Sequence, residues 1–219
     1  MNVVAVVNTK GGVGKTTIAS ALAVRAAQDS QRVAMVDLDP QRSLIEWWKR
    51  RGSPDNPTLF EGADHAAEAV EALELDGWDW VFLDSPPAFL VTVQEIIQAA
   101  DFSLIPIKAS MLDLLATQDA VVLAREAKAD FMCVLNDVTP PRKDQADRLA
   151  EAARSTLFNA QVLIADTELA HRTSFIASMT VGKSAAEINS GRDKKATEEI
   201  DALWSEVKTH FAKKEAGNG

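Results

Sequence analysis

The chain has 219 residues, 47% of them hydrophobic and 25% charged, with a formal net charge of −9. That length and composition allow a globular domain that holds its core without disulfide or metal staples, and the charge argues against indiscriminate nucleic-acid binding by the whole surface. A single cysteine, Cys133 in the apolar run DFMCVLND, excludes a disulfide framework and an iron–sulfur site within one chain, and no run of about 18 apolar residues suggests a membrane span.

The chain opens on a strand-like run, VVAVVN (Val3–Asn8), with no basic stretch before it, so a cytoplasmic protein without a signal peptide is expected. Further strands are predicted at Arg32–Asp39, Trp80–Asp84, Phe102–Lys108, Phe131–Asp137 and Ala160–Ala165. Each is almost continuously apolar, as parallel strands covered on both faces are. Helical patterns lie between them at Lys15–Ala27, Ser43–Arg51, Ala63–Leu75, Thr92–Ala100, Leu112–Lys128 and Lys143–Leu157. The alternation predicts an α/β fold, a doubly wound and mostly parallel sheet with helices on both faces, whose ligands bind at the carboxyl ends of the strands. Arg51–Thr58 and Asn136–Asp144 read as loops from their Pro, Gly and Asn content. One domain over residues 1–213 is expected, followed by a disordered tail, 214–219.

The chemistry is concentrated in NTKGGVGKTT, Asn8 to Thr17. Gly11, Gly12 and Gly14, between the first strand and first helix, let successive N–H groups turn inward on an anion, and the helix amino terminus adds partial positive charge. Lys15 is placed to reach β- and γ-phosphates and the Thr16 hydroxyl to bind magnesium. The strict G-x-x-x-x-G-K-[ST] pattern fails by one residue, because Thr9 stands where its first glycine would be. VFLDSPP ends a strand on Asp84, and VDLDPQRS puts Asp37 and Asp39 at the end of another. Parallel topology gathers all three carboxylates with Thr16 on one edge of the sheet.

KGGVGKTT, VDLDPQRS and FLDSPP, in that order and spacing, resemble the ParA/MinD family of deviant Walker A P-loop ATPases, and most closely its ParA-type partition members. The resemblance implies an ATPase using ATP/ADP and Mg²⁺ with weak basal turnover. It implies nucleotide contacts from Gly11, Gly12, Val13, Gly14, Lys15, Thr16 and Thr17, with Asn136 at the adenine. Asp39 would orient the attacking water, Asp84 would join Thr16 around the metal, and Asp37 would be linked to the metal or stand just behind its ligands. Lys10 would cross a homodimer interface to the phosphates of the partner subunit's ATP, so that hydrolysis and assembly are coupled.

The family includes several jobs. A ParA-type member would bind non-specific DNA, associate with the nucleoid and answer to a ParB-like adaptor that stimulates hydrolysis. A MinD-like or protein-array-positioning member would act on membrane or protein cargo instead. Charge is unevenly spread: no Lys or Arg lies between Arg51 and Lys108, whereas Arg172, Lys183, Arg192, Lys194 and Lys195 crowd the carboxyl-terminal third. These five are the DNA-binding candidates. Ile200, Leu203, Trp204, Val207 and Phe211 form an apolar helical stripe flanked by acidic residues. That stripe suits packing on the sheet better than an anionic membrane, so a membrane partner is not expected. Of Trp47 and Trp48, one is expected in the core and the other is a candidate partner contact. Leu112, Leu114 and Leu115 read as core or helix-start residues. A metabolic kinase is a further alternative, against which Lys10 and the paired aspartates speak.

Overall fold

The computed structural model describes residues 1–61, 65–87, 89–140, 147–188 and 193–217. Strands β1 (Asn2–Val6), β2 (Val33–Asp37), β3 (Thr58–Phe60), β4 (Trp80–Asp84), β5 (Phe102–Lys108), β6 (Phe131–Val138) and β7 (Ile164–Ala170) form one sheet, ordered β3-β2-β4-β1-β5-β6-β7. Every pairing is parallel. The helices are α1 (Lys15–Gln28), α2 (Ser43–Arg50), α3 (Ala66–Leu75), α4 (Leu90–Ala99), α5 (Met111–Glu126), α6 (Arg148–Asn159), α7 (Thr173–Val181) and α8 (Lys194–Gly217). A 3-10 turn at Ala185–Glu187 precedes the last of them.

Alternation along each strand sorts the core into two layers, because successive side chains point to opposite faces. Val4, Val6, Met35, Phe82, Leu104 and Val134 meet α1, α2 and α8 on one face. Val3, Ala5, Val36, Leu83, Ile105 and Leu135 meet α3, α4, α5 and α6 on the other. Both faces being covered, the strands need no polar alternation, and their continuous apolar runs follow from that. Cys133 is buried, which pushes its thiol up to about 12 and makes it a packing group.

Several expectations shift. The strand expected at Ala160–Ala165 begins at Ile164, because α6 runs to Asn159 and the turn closes through Gln161 at φ 55. The loop expected to end at Thr58 instead feeds a short edge strand, β3, and α7 forms where no helix was expected. Asp147 starts α6 by accepting the Leu149 N–H at 2.9 Å, five residues past the expected start, and 143–146 lie outside the described residues. α8 continues to Gly217, so 214–217 are helical and not a disordered tail. Phe211, at 7% exposure, anchors the preceding turn, and Lys214 reaches the Asp101 carbonyl at 3.4 Å and Asp130 at 3.3 Å.

The apolar stripe of α8 is buried on the sheet. Trp204 packs edge-on to Trp80 with ring centroids 4.6 Å apart, and its indole N–H donates to Asp29 at 2.8 Å. Among the described residues no helix is long and apolar enough to cross a membrane. Trp204→Ala should lower the unfolding free energy by about 3–5 kcal/mol in urea denaturation, because it empties a fully buried site and orphans a hydrogen bond.

Candidate functional site

The carboxyl ends of β1, β2 and β4 place the phosphate loop and its carboxylates together. Register pairs Val6 with Asp84 and Asp37 with Asp84, so both aspartates end adjacent strands beside the loop. The loop curls through left-handed residues, Gly12 at φ 73 and Gly14 at φ 97. Gly14 is also crowded: a Cβ there would lie 2.2 Å from Asn136 Nδ2. The Asn136 amide donates to the Val13 carbonyl at 2.7 Å, tying β6 to the loop where Gly11, Gly12, Val13 and Gly14 turn. α1 then begins at Lys15, with no acidic residue in its first turn to compete for an anion.

Lys15 is 6% exposed, and its ammonium donates to the Lys10 carbonyl at 3.1 Å. Burial draws its pKa down, with the Asp84 and Asp39 carboxylates opposing that shift. The Thr16 hydroxyl donates to Asp84 Oδ2 at 2.7 Å. Asp84 is fully buried, which pushes its carboxyl up to about 8, and its Oδ1 has no hydrogen-bond partner. A buried, unpartnered carboxylate oxygen beside a threonine hydroxyl suits a magnesium ion or its water shell. No group of three metal-ligating side chains occurs among the described residues, but magnesium held with nucleotide phosphates needs only one or two carboxylates.

Asp37 serves the loop. Its Oδ1 accepts the Asp39 N–H at 3.1 Å and its Oδ2 the Ile45 N–H at 3.0 Å. Both oxygens hold the segment that presents Asp39 and starts α2, an arrangement that suits a place behind the metal's ligands as well as one beside the metal. Asp39 in turn accepts the Gln41 N–H at 2.9 Å, which leaves its other oxygen for a water. Thr17 and Asn136 line a cavity of about 400 Å³ between the loop, β6, β7 and α7, closed by Leu169, Phe175 and Met179. Its mouth carries an ion cluster that sequence reading missed, in which Asp137 binds Lys108 at 2.8 Å and also His171. Burial would raise the Asp137 pKa, but hydrogen bonds from Lys108 and His171 hold it low. Only spatial convergence reveals that cluster.

The Lys10 side chain finds its partner outside the loop. Its ammonium pairs with Asp113 near the start of α5, and its side chain remains 36% exposed. Burial of Asp113 would raise its pKa, yet hydrogen bonds from Lys10 and Ser110 bring it below the usual carboxylate range. Beside Asp113 on α5, Leu112 is 75% exposed and Leu115 53%, and on the neighbouring helix Phe89 and Val91 stand open at the start of α4. Of the residues expected in the core or at a helix start, Leu114 turns inward, while Leu112 and Leu115 lie at the start of α5 with their side chains outward.

The basic candidates divide. Arg172 is not free for phosphate. Its guanidinium spans Glu199 and Asp193, with Glu199 chiefly raising its pKa, and its side chain is 14% exposed. Lys183, Lys194 and Lys195 are exposed, and Arg192 lies outside the described residues. Lys49 and Arg50 of α2 are also exposed, and Arg50 reaches the Met179 carbonyl at 3.3 Å, which brings α2 charges beside Lys183. Trp47 is the tryptophan expected in the core, and Trp48 keeps part of its surface open. Trp47 is buried and donates to the Lys183 carbonyl at 3.2 Å, and Trp48 is partly buried, donating to Pro54 and Pro57 carbonyls.

Residues 4–180 match the CobQ/CobB/MinD/ParA nucleotide binding domain. The chain is 31% identical over 215 residues to maintenance of carboxysome distribution protein A of Halothiobacillus neapolitanus, covering 93% of this chain and 94% of that protein. It is 29% identical over 187 residues to protein ParA of Rhizobium radiobacter, covering 83% and 84%. The fold matches the solved MinD cell division protein of Aquifex aeolicus with a TM-score of 0.77 at 14% identity, over 95% of this chain and 98% of that one. Lys15→Ala should reduce nucleotide affinity by about 100-fold or more in calorimetric titration, because the loop loses its one buried ammonium. Unchanged affinity would remove the phosphate assignment.

Proposed function

The chain belongs to the CobQ/CobB/MinD/ParA nucleotide-binding family, and on that footing we propose that it is a ParA-type, magnesium-dependent ATPase that works as a dimerisation switch. In its ATP state it would pair with a second copy, bind DNA non-specifically at the nucleoid and position cargo, and an adaptor protein would stimulate hydrolysis. The observation that carries this reading is Lys10: a phosphate-loop lysine that does not turn into its own loop, half exposed beside an apolar rim on α4 and α5.

Bound magnesium nucleotide supplies the phosphoryl group and neutralises its charge. Thr16 and Asp84 would hold the metal, and Asn136 and Thr17 line the cavity that would take the nucleoside. Lys15 compensates phosphate charge from within the same chain. Asp39, fixed by Asp37, orients water for in-line attack, and phosphoryl transfer needs little more than such placement and charge. Lys10 would add a further positive charge only when two chains meet, and it must leave Asp113 to do so.

Positioning of a protein-built cargo is the second reading. It is favoured by the relatives named for carboxysome distribution, which align over almost this whole chain at 31% and 32% identity. Both readings share one ATPase cycle and differ only in the cargo. The apolar stripe of α8 packs in the core and is not presented to a membrane.

Asp39→Ala should bind ATP normally while turnover falls by about 100-fold or more in a phosphate-release assay, the usual scale for losing a positioned base. Wild-type turnover would displace Asp39 from that role. Co-sedimentation with non-specific DNA should require ATP, fail with ADP and weaken as salt rises, with Lys183→Glu combined with Arg50→Glu reducing it. Equal sedimentation with ATP and ADP would sink the nucleoid part of the reading.

A further inference from the structure

Asn8 heads the phosphate loop, and no role in nucleotide binding accounts for it. It is 0% exposed, and its carboxamide makes three hydrogen bonds, with both N–H donors used. Its Nδ2 donates to the Pro106 carbonyl at 2.9 Å and to Thr117 Oγ1 at 3.1 Å, while its Oδ1 accepts the Lys10 N–H at 2.8 Å. A flipped amide would set its donors against the Lys10 N–H and its acceptor against a carbonyl, so the orientation is fixed by its partners.

The surroundings explain why a side chain is needed there. β5 is a central strand, yet it contains Pro106, which has no N–H to give to a ladder. The β1–β5 register ends at Val6 and Leu104, with one further bond from Val7 N–H to the Leu104 carbonyl. Beyond that point β1 has left the sheet to become the phosphate loop, and Asn8 supplies the donor that a strand would have given to Pro106. Its second donor reaches α5, where Thr117 is 1% exposed and donates to the Asp113 carbonyl at 2.9 Å. Asp113 pairs with the Lys10 ammonium. Thr9 adds another tie, donating to the Ala116 carbonyl at 3.2 Å. Asn8, Thr117, Asp113 and Lys10 thus form a closed ring of contacts between the loop and the first turns of α5, whose outer side exposes Leu112 and Leu115.

We propose that Asn8 is the positioning residue of Lys10: its buried carboxamide locks the Lys10 backbone to β5 and α5, so the lysine is presented at the face where α5 is apolar. This rests on the reading that Lys10 acts across a dimer. Asn8 touches no nucleotide in this role. It acts through Lys10, and a displacement of α5 at that face is passed directly to the lysine.

The test compares Asn8→Ala, Thr117→Val and Lys10→Ala full-length chains. Dimer affinity is measured by sedimentation with a slowly hydrolysed ATP analogue, and monomer affinity by ADP titration. Asn8→Ala should weaken the dimer by about tenfold or more, the scale of freeing one buried, hydrogen-bonded loop, while ADP affinity changes by less than about threefold. Thr117→Val should move the dimer affinity the same way by a smaller factor, and it decides the matter alone if Asn8→Ala does not fold. A purely structural role would lower ADP and dimer affinity together, and that result overturns the proposal. So does an unchanged dimer in Asn8→Ala when Lys10→Ala weakens it. An unchanged dimer in Lys10→Ala removes instead the dimer-switch reading on which the proposal rests.

Discussion

Parallel pairing of β4 with both β1 and β2 is the constraint on which the rest depends. It brings three strand ends to one edge at one level, so Asp84 lies opposite Val6 on one side and Asp37 on the other. No single residue could gather a phosphate loop, a buried carboxylate and the aspartate that follows β2. The ladder does so because every strand runs the same way and every strand end therefore points at the same solvent edge. The burial that makes the ladder stable also sets the chemistry. Asp84 and Lys15 are kept from water by the layers that bury Val6 and Leu83, and charge placed there is felt more strongly than at an open surface.

Charged side chains fasten the outer elements to this frame. Arg51 grips Glu187 through both guanidinium nitrogens, at 2.6 and 2.7 Å, joining α2 to the 3-10 turn. Arg172 joins the end of β7 to the start of α8 through Glu199, and Glu206 accepts the Asp166 and Thr167 N–H groups along the exposed edge of β7. Such groups occupy backbone donors that would otherwise invite another strand. They also explain why the basic carboxyl-terminal third is less basic in space than in sequence. Arg172 is spent inside the fold, and the exposed positive charge rests on Lys183, Lys194, Lys195 and the α2 residues Lys49 and Arg50.

The sheet and the phosphate loop were legible because they rest on local signals: unbroken apolar runs, a glycine curl, and Lys-Thr at a helix start. β3 and α7 were not, since a three-residue edge strand has too few positions to show a period. α7 also buries little along a single face, Ser174 and Ser178 being its buried residues. Within the site, Asp37 ends β2 as expected. Sequence shows which strand it ends and cannot show that its two oxygens meet the Asp39 and Ile45 amides. Asn8 and Asp113 were invisible for the same reason, their meaning lying in contacts across 98 and 103 positions of chain.

Lys10 illustrates what those long-range contacts accomplish. Its ion pair with Asp113 is neither a deep salt bridge nor a free surface one, with side chains 36% and 12% exposed. A fully exposed pair contributes about 0–1 kcal/mol, and stripping one partner from a buried pair costs about 3–5 kcal/mol. This pair lies between those limits and leans toward the lower, because Asp113 keeps the Ser110 hydroxyl and the partial positive charge of the α5 amino terminus when the lysine departs. The ammonium can therefore exchange its carboxylate for a more strongly charged phosphate without stranding a bare anion. Its backbone, held by Asn8, would not travel with it. On the proposed reading the side chain swings while the loop stays, which lets one lysine have two partners without dismantling the nucleotide site that Lys15 and Thr16 maintain.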